Sequence, residues 1–253
     1  MTVIEDTTDD AVLGGRLRLR QPRRGHRVGH DAILLAAATS AQPGEHAVEL
    51  GAGVGAAGLA LARRVPGVRV TLAEIDPKLV ALASDNAARN GLAGRVSAVV
   101  LDAAGPASAL SAAGLAPGCA HHVLMNPPFN DPASSQTSPV PGRARAHIAT
   151  GETLTAWVAT AARLLADGGS VTLIWRADGL AEVLDALAGF GGIAVLPVHP
   201  RAEAPAVRVL VRATKGRRTP LQLLPALVLN DAQGRPSAAA ESILRDAAPL
   251  PLA

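Results

Sequence analysis

The segment that most constrains the fold is a short apolar strand that leads directly into three closely spaced glycines. The strand covers residues 47–50, the glycines are Gly51, Gly53 and Gly55, and a helical pattern follows from about residue 54 to residue 64. Glycine at a turn between strand and helix lets the backbone approach a ligand closely. This arrangement predicts an α/β domain that binds a ligand at the turn.

Strand and helix patterns alternate along the rest of the chain. Two predicted strands at the end, 193–198 and 207–212, have no helix between them, which indicates an antiparallel pair. Alternation of this kind predicts a Rossmann-like, doubly wound α/β fold with a mostly parallel sheet. The other predicted strands are 69–73, 96–101, 122–125 and 170–175, and the helices are 31–38, 77–90, 152–166 and 179–188.

The ends of the chain differ from its middle in composition. Residues 1–28 are interpreted as a basic N-terminal extension or hairpin, with residues 1–10 frayed. The ligand-binding domain is predicted over 29–215, and its first helix is expected to be capped by Asp31. Residues 216–253 are interpreted as a C-terminal extension.

Composition excludes several classes of protein. The longest apolar runs have about ten residues, against the roughly 20 that a membrane-spanning helix needs. The first residues are acidic and polar, which is not typical of a secretory signal. A lone cysteine, Cys119, excludes an internal disulfide and fits a reducing compartment. We therefore expect a cytoplasmic protein with no membrane segment.

Acidic residues near three successive strand ends indicate which ligand the glycines bind. The loop alone is ambiguous, because residues 53–58 also fit the dinucleotide pattern G-x-G-x-x-G. Glu49 would repel a pyrophosphate but suits the sulfonium and amino group of S-adenosylmethionine. Glu74 ends the second strand, where an acid accepts hydrogen bonds from ribose hydroxyls. Asp102 ends the third, near the expected adenine amino group, so the set favours S-adenosylmethionine.

The tetrapeptide Asn126-Pro127-Pro128-Phe129, after the fourth strand, carries the most specific chemistry. An exocyclic amine is a poor nucleophile because its lone pair is delocalised. The side-chain carbonyl of Asn126 and the backbone carbonyl of Pro127 would accept its two hydrogens and direct the lone pair at a methyl group. Phe129 would stack on the planar acceptor. The alternative is a proline turn with a purely structural role. The asparagine before the prolines and the aromatic residue after them favour the catalytic role.

Two basic clusters suggest contacts with nucleic acid. Six arginines lie between residues 16 and 27 with no acid among them, and the first three alternate with leucines as on one face of a strand. Phosphate contacts by such residues supply much of the affinity for nucleic acid. The alternative is a solvated strand and a solubilising turn. The candidate contacts are Arg16, Arg18, Arg20, Arg23, Arg24, Lys215 and Arg217.

The glycine loop, the acids and the tetrapeptide together resemble the amino-methyltransferase branch of the class I S-adenosylmethionine-dependent superfamily, over roughly residues 25–215. More narrowly, residues 28–36 before the loop resemble a segment of the bacterial tRNA1(Val) adenine-37 N6-methyltransferase family. The resemblance implies a basic loop after the tetrapeptide, where Arg143 and Arg145 lie. Phe129 is a departure, because tyrosine is usual there, but stacking needs no hydroxyl.

The resemblance implies an enzyme that methylates N6 of an adenine in tRNA without a metal. Three other acceptors remain open, because related families share the tetrapeptide. They are N2 of a guanine in rRNA, the side-chain amide of a protein glutamine, and a small molecule. A non-catalytic RNA-binding domain and a nicotinamide oxidoreductase are less favoured. We expect no histidine to bind metal, and Trp157 and Trp175 to belong to the core.

Overall fold

The protein is described by a computed structural model that covers residues 6–24, 27–128 and 151–252. Eleven strands lie in these ranges: β1 (Thr7–Val12), β2 (Leu17–Pro22), β3 (His46–Leu50), β4 (Arg69–Glu74), β5 (Val96–Val100), β6 (Ala120–Met125), β7 (Leu165–Arg176), β8 (Gly191–His199), β9 (Arg208–Thr214), β10 (Gln222–Leu223) and β11 (Leu227–Val228). The α-helices in the same ranges are α1 (His30–Ala38), α2 (Ala56–Arg64), α3 (Pro77–Arg89), α4 (Ala107–Ala112), α5 (Gly151–Leu164), α6 (Leu180–Ala186) and α7 (Ala238–Asp246).

A single nine-stranded sheet forms the centre of the described molecule. Its order is β10-β8-β9-β7-β6-β3-β4-β5, with β11 also paired to β8. Strands β5, β4, β3, β6 and β7 are mutually parallel, whereas β9 runs antiparallel to both of its neighbours, β7 and β8. The Rossmann-like prediction and the antiparallel final pair are therefore confirmed.

Helices cover both faces of this sheet, which explains why its central strands carry buried residues on both faces. One face packs against α1, α2, α3 and α7, and the other packs against α4, α5 and α6. Alternate residues of β3 point to opposite faces: Ala47 contributes to the first core, and Val48 and Leu50 to the second. The parallel strands consequently expose only their ends, where a ligand can reach them.

The N-terminal hairpin is held to the sheet layer by two asparagines of α3. Leu17 and Leu19 are buried and the arginines between them are exposed, which confirms the predicted alternation. Asn86 accepts from the backbone N–H of Arg20 at 2.7 Å and donates to its carbonyl at 2.9 Å. Asn90 makes the same pair of bonds to Arg18 one turn later. The two amides thus bond to the backbone of β2 as a further strand would.

Three local expectations are corrected. Residues 7–10 are not frayed, because they pair with β2 as part of β1. Helix α1 begins at His30 with Gly29 at its N-cap, so Asp31 lies in the first turn and its carboxylate pairs with Arg208 at 2.9 Å. The first turn of the glycine helix starts at Ala56, because Gly53 and Gly55 have positive φ.

The C-terminal segment folds back onto the domain. Strands β10 and β11 extend the sheet beside β8, and α7 follows them. Beyond α7, the N–H of Leu250 donates to the carbonyl of Ala37 in α1, and Leu252 is fully buried. Within the described ranges, no helix combines the length and the apolar character needed to cross a membrane.

Candidate active site

The glycine loop, Glu74, Asp102 and Asn126 follow the carboxyl ends of the parallel strands, at one edge of the sheet. Leu50 of β3 pairs with Met125 of β6, so the glycine loop and Asn126 leave the sheet on neighbouring strands. Glu74 is the last residue of β4, and Asp102 follows β5 by two residues. Ligands of open α/β sheets bind at this edge. The fold therefore brings together residues that are up to 75 positions apart in the chain.

Backbone conformation makes the glycine loop a cradle. Gly51, Gly53 and Gly55 have φ of +66°, +55° and +87°, a region that side chains other than glycine rarely adopt. A Cβ built on Gly53 would meet nothing within 4 Å, whereas one on Gly55 would come within 2.7 Å of Leu72. Gly53 thus presents bare backbone to the open edge, and Gly55 lets α2 pack closely on β4.

Glu74 connects the second strand end to the glycine loop. One carboxylate oxygen accepts from the N–H of Gly53 at 2.8 Å, and the other accepts from the N–H of Asp76 at 3.0 Å. Each oxygen has a further lone pair, so the side chain can also accept from two ligand hydroxyls. Glu74 is buried, which fixes its orientation beside the loop.

Glu49 bonds to the start of the helix that follows the glycine loop. Its Oε2 accepts from the N–H of Gly58 at 2.7 Å, at the first turn of α2, and the side chain is buried. A Cβ on Gly58 would lie 2.8 Å from that oxygen, so only glycine leaves room for the contact. Burial raises the pKa of Glu49 to about 8, and the nearby Glu74 carboxylate adds to the increase.

Asp102 and Ile75 border the same edge near β5. The Oδ1 of Asp102 accepts from the N–H of Ala104 at 2.9 Å, and the residue is otherwise exposed. Ile75 is 54% exposed although it is a large aliphatic residue. An apolar side chain beside Glu74 suits contact with a planar ring. The sequence analysis did not predict a role for Ile75. Its position between Glu74 and Asp76, directly after a strand, could have indicated one.

Asn126 carries a buried acceptor without a partner. Its Oδ1 is inaccessible to solvent and has no hydrogen bond within the described part of the chain. Pro127 is buried and Pro128 is half-buried, so the backbone here is held firmly. Leaving a buried carbonyl oxygen unpaired costs about 1–3 kcal/mol. Phe129, predicted to stack on the acceptor, lies outside the described residues.

Trp157 of α5 contacts the glycine loop. A Cβ on Gly51 would stand 2.3 Å from Cη2 and 2.8 Å from Cζ3 of its indole, so the six-membered ring lies directly on Gly51. The side chain is half-buried, unlike Trp175, which is 2% exposed and belongs to the core as predicted. The prediction that both tryptophans belong to the core is confirmed for Trp175, and Trp157 packs against the same core with part of its surface exposed.

The arginines of the hairpin face solvent but are paired within the chain. Each of four has an acidic partner, and three of the acids belong to the segment before β2 or to α3. Arg24 has no ion pair among the described residues. The pairs are Arg16 with Asp246, Arg18 with Asp9, Arg20 with Asp85 and Arg23 with Asp6.

The second basic cluster has a structural component. The ammonium of Lys215 donates to the carbonyls of Ala162 and Leu165 at 2.9 and 2.7 Å, at the C-terminal end of α5. Such a cation satisfies helix-terminal carbonyls. Arg217 is exposed beyond it. Arg143 and Arg145 lie outside the described residues.

These features fit a nucleoside with a sulfonium side chain. The open backbone at Gly53, the spare lone pairs of Glu74 and the exposed aliphatic Ile75 match backbone approach, ribose hydroxyls and a planar base. Within the described ranges, no group of three or more metal-binding side chains is present.

Comparison with known proteins shows the class of this chain. Its strand order is Rossmann-like, and its family and its structural neighbours show a methyltransferase that uses S-adenosylmethionine. Residues 26–196 match the model of the methyltransferase small domain family, and the chain belongs to that family. A comparison with curated protein sequences gave no match.

Solved structures of methyltransferases share the fold. A predicted O-methyltransferase from Agrobacterium tumefaciens is 28% identical with a TM-score of 0.73, over 87% of this chain and 98% of its own. A SAM-dependent O-methyltransferase from Thermotoga maritima is 19% identical with a TM-score of 0.53, over 78% and 69%. Geranyl diphosphate C-methyltransferase from Streptomyces coelicolor, with S-adenosyl-L-homocysteine bound, is 14% identical with a TM-score of 0.50, over 74% and 78%.

Proposed function

We propose that this methyltransferase acts on an exocyclic amine, and that its acceptor is N6 of an adenine in tRNA. The observation that carries the proposal is the buried Oδ1 of Asn126, which follows the strand next to the glycine loop and has no hydrogen-bond partner among residues 6–24, 27–128 and 151–252. A buried acceptor without a donor is uncommon in folded proteins and calls for an explanation. An amine hydrogen of the acceptor base supplies the missing donor.

Asn126 and Pro127 orient the amine. The Oδ1 of Asn126 accepts one amine hydrogen and the carbonyl of Pro127 accepts the other, so the nitrogen lone pair is localised and directed away from the ring. The rigid backbone of two prolines holds these acceptors in place before the acceptor base arrives. Phe129 stacks on the ring. Asparagine is not a base, and the proton released when the new N–C bond forms passes to water.

The cofactor lies along the neighbouring strand ends. Gly51, Gly53 and Gly55 hold it by backbone, Glu74 accepts from its ribose hydroxyls, and Asp102 accepts from its adenine amino group. When bound, S-adenosylmethionine supplies a methyl group on a positively charged sulfur. The sequence predicts direct cofactor contact for Glu49, and its bond to Gly58 supports a second role, which is to hold the N-terminal turn of α2 beside the loop.

An RNA acceptor is favoured by the exposed arginines of the N-terminal hairpin. An adenine must leave its stack to reach a buried carbonyl, which costs a few kcal/mol and least in a loop such as the anticodon loop. Arg24 has no acidic partner among the described residues and is the first candidate for a phosphate contact. Arg217 has none there either, but it follows the end of β9 that pairs with the start of β7, at the edge of the sheet opposite the glycine loop. We assign the further contacts to Arg16, Arg18, Arg20, Arg23, Arg143, Arg145 and Lys215.

Hydroxyl methylation is the second candidate, because the structural neighbours from A. tumefaciens and T. maritima are described as O-methyltransferases. The same fold serves many acceptors, so the site must decide between them. A hydroxyl has one hydrogen to donate and loses it on methylation. The pair of carbonyl acceptors at Asn126 and Pro127 suits the two hydrogens of an amine better.

The test is methyl transfer from isotopically labelled S-adenosylmethionine to total tRNA by the purified protein, followed by mass analysis of nucleosides. We expect label in N6-methyladenosine, and a loss of about a hundred- to thousandfold in rate for Asn126→Ala. Asn230→Ala, whose amide donates to the carbonyl of Pro200 and which belongs to neither the hairpin nor the proposed site, is the control and should keep the rate. Label in a 2′-O-methylated nucleoside would favour the second candidate, and full turnover by Asn126→Ala would refute the role of this residue.

A further inference from the structure

The half-buried indole of Trp157 lies where the two parts of the site meet. Its six-membered ring covers Gly51, at the first turn of the glycine loop. Because Leu50 pairs with Met125, the residues that follow them, Gly51 and Asn126, leave adjacent strands at the same edge. The indole therefore contacts the proposed cofactor loop at the strand next to the one that carries the proposed acceptor position.

Trp157 packs against the core on one side of the sheet but is not enclosed by it. The core-facing stripe of α5 is formed by Leu154, Val158 and Ala161, all of them buried. Trp157 lies at the border of that stripe and remains partly exposed. Gly51, which has φ of +66°, leaves the ring room to approach the backbone. An aromatic face that is partly open at a ligand edge is available for binding.

The charge of the cofactor suggests what that face binds. S-adenosylmethionine carries a positive sulfur, and the thioether left after methyl transfer is neutral. Tryptophan is the aromatic side chain that attracts cations best, when the cation lies within about 6 Å of the ring centroid. A tryptophan near the sulfur consequently favours the charged cofactor over the neutral product.

We propose that Trp157 is a cofactor-binding residue whose indole contacts the sulfonium and so distinguishes S-adenosylmethionine from S-adenosylhomocysteine. The inference rests on the proposed position of the cofactor at the glycine loop. It does not depend on the acceptor, and its test therefore omits any acceptor.

The first measurement is calorimetric titration of the protein with each of the two compounds. For Trp157→Leu, we expect affinity for S-adenosylmethionine to fall about tenfold, with a much smaller change for S-adenosylhomocysteine. Trp157→Phe keeps an aromatic ring and should recover part of the loss. Trp175→Phe, in the core, is the matched control and should bind both compounds as the wild type does. An equal loss for both compounds, or none, would overturn the proposal.

Fluorescence gives a second readout, because the chain has only two tryptophans. Added S-adenosylmethionine should change the emission of Trp175→Phe, in which Trp157 remains, and leave that of Trp157→Phe unchanged. The opposite pattern would overturn the proposal even if Trp157→Leu failed to fold. If the wild-type protein bound S-adenosylmethionine but did not methylate adenine, the proposed acceptor would be refuted and the proposed role of Trp157 would not be affected.

Discussion

At the scale of single residues, Glu49 has the most unusual environment among the described site residues. Its carboxyl group is buried, its Oε2 accepts from the N–H of Gly58, and Glu74 lies near enough to raise its pKa further. The neutral form is therefore favoured in the folded protein up to about pH 8. In the unfolded chain the same group ionises near its ordinary pKa of 4.5.

This difference predicts a stability that falls as pH rises. Between pH 4.5 and about 8 the folded state holds a proton that the unfolded state has lost, so the free energy of unfolding decreases with pH. Glu49→Gln removes the titration and keeps an acceptor for Gly58. We expect the stability of the variant relative to the wild type to increase by about 1.4 kcal/mol per pH unit in this range. Denaturant unfolding at several pH values measures this difference. If the free energies of unfolding of the two proteins changed in parallel with pH, the raised pKa of Glu49 would be contradicted.

The same residue illustrates what sequence could and could not predict about the site. The spacing of the glycines and acids in the sequence predicted the position of the site, because the carboxyl ends of successive parallel strands lie along one edge of the sheet. The direction of the Glu49 side chain depends on Gly58, nine positions later in another element, and on burial of both sheet faces. Asn126 was recognisable from its tetrapeptide, whereas its lack of a partner depends on the packing around it.

At the scale of elements, the hairpin depends on Asn86 of α3. This side chain is fully buried and bonds to the N–H and carbonyl of Arg20 and, at 3.1 Å, to the carbonyl of Val54 in the glycine loop. It therefore joins three elements that the sequence pattern treats separately. The alternation of leucine and arginine predicted the exposed face of β2, but nothing in it indicated which helix would bond to its edge.

Asn86→Ala should consequently destabilise the protein strongly. It leaves a buried donor and two acceptors without partners, and we expect a loss of about 2–4 kcal/mol in the free energy of unfolding. Asn90→Ala is the matched control, because it bonds to the same strand one turn later in an exposed position. Its cost should be about 1 kcal/mol or less. Chemical denaturation compares the two, and equal losses would contradict the importance of burial.

At the scale of the whole molecule, charge is more balanced than the local sequence suggested. The run of arginines contains no acid, yet Asp6, Asp9 and Asp10 of the adjacent segment pair with Arg23, Arg18 and Arg27. Strand pairing between β1 and β2 brings these opposite charges together. Exposed pairs of this kind contribute little to stability and can exchange partners readily.

Release of these arginines should strengthen binding to tRNA. Asp9 pairs with both Arg18 and Arg89, so Asp9→Asn frees two guanidinium groups. We expect tighter binding and a plot of log affinity against log salt that is steeper by about one unit or more. Asp231→Asn removes the same charge near Arg235 only and is the control. If both variants changed the affinity for tRNA equally, the result would show that the hairpin does not contact the RNA.

The central claim is that this S-adenosylmethionine-dependent methyltransferase modifies N6 of an adenine in tRNA through Asn126. The most direct test is mass analysis of nucleosides from total tRNA of cells that lack the protein, beside the parent strain. The account predicts that N6-methyladenosine is lost, and that it returns with the intact gene but not with Asn126→Ala. An unchanged amount of N6-methyladenosine, or its full return with Asn126→Ala, would contradict the claim.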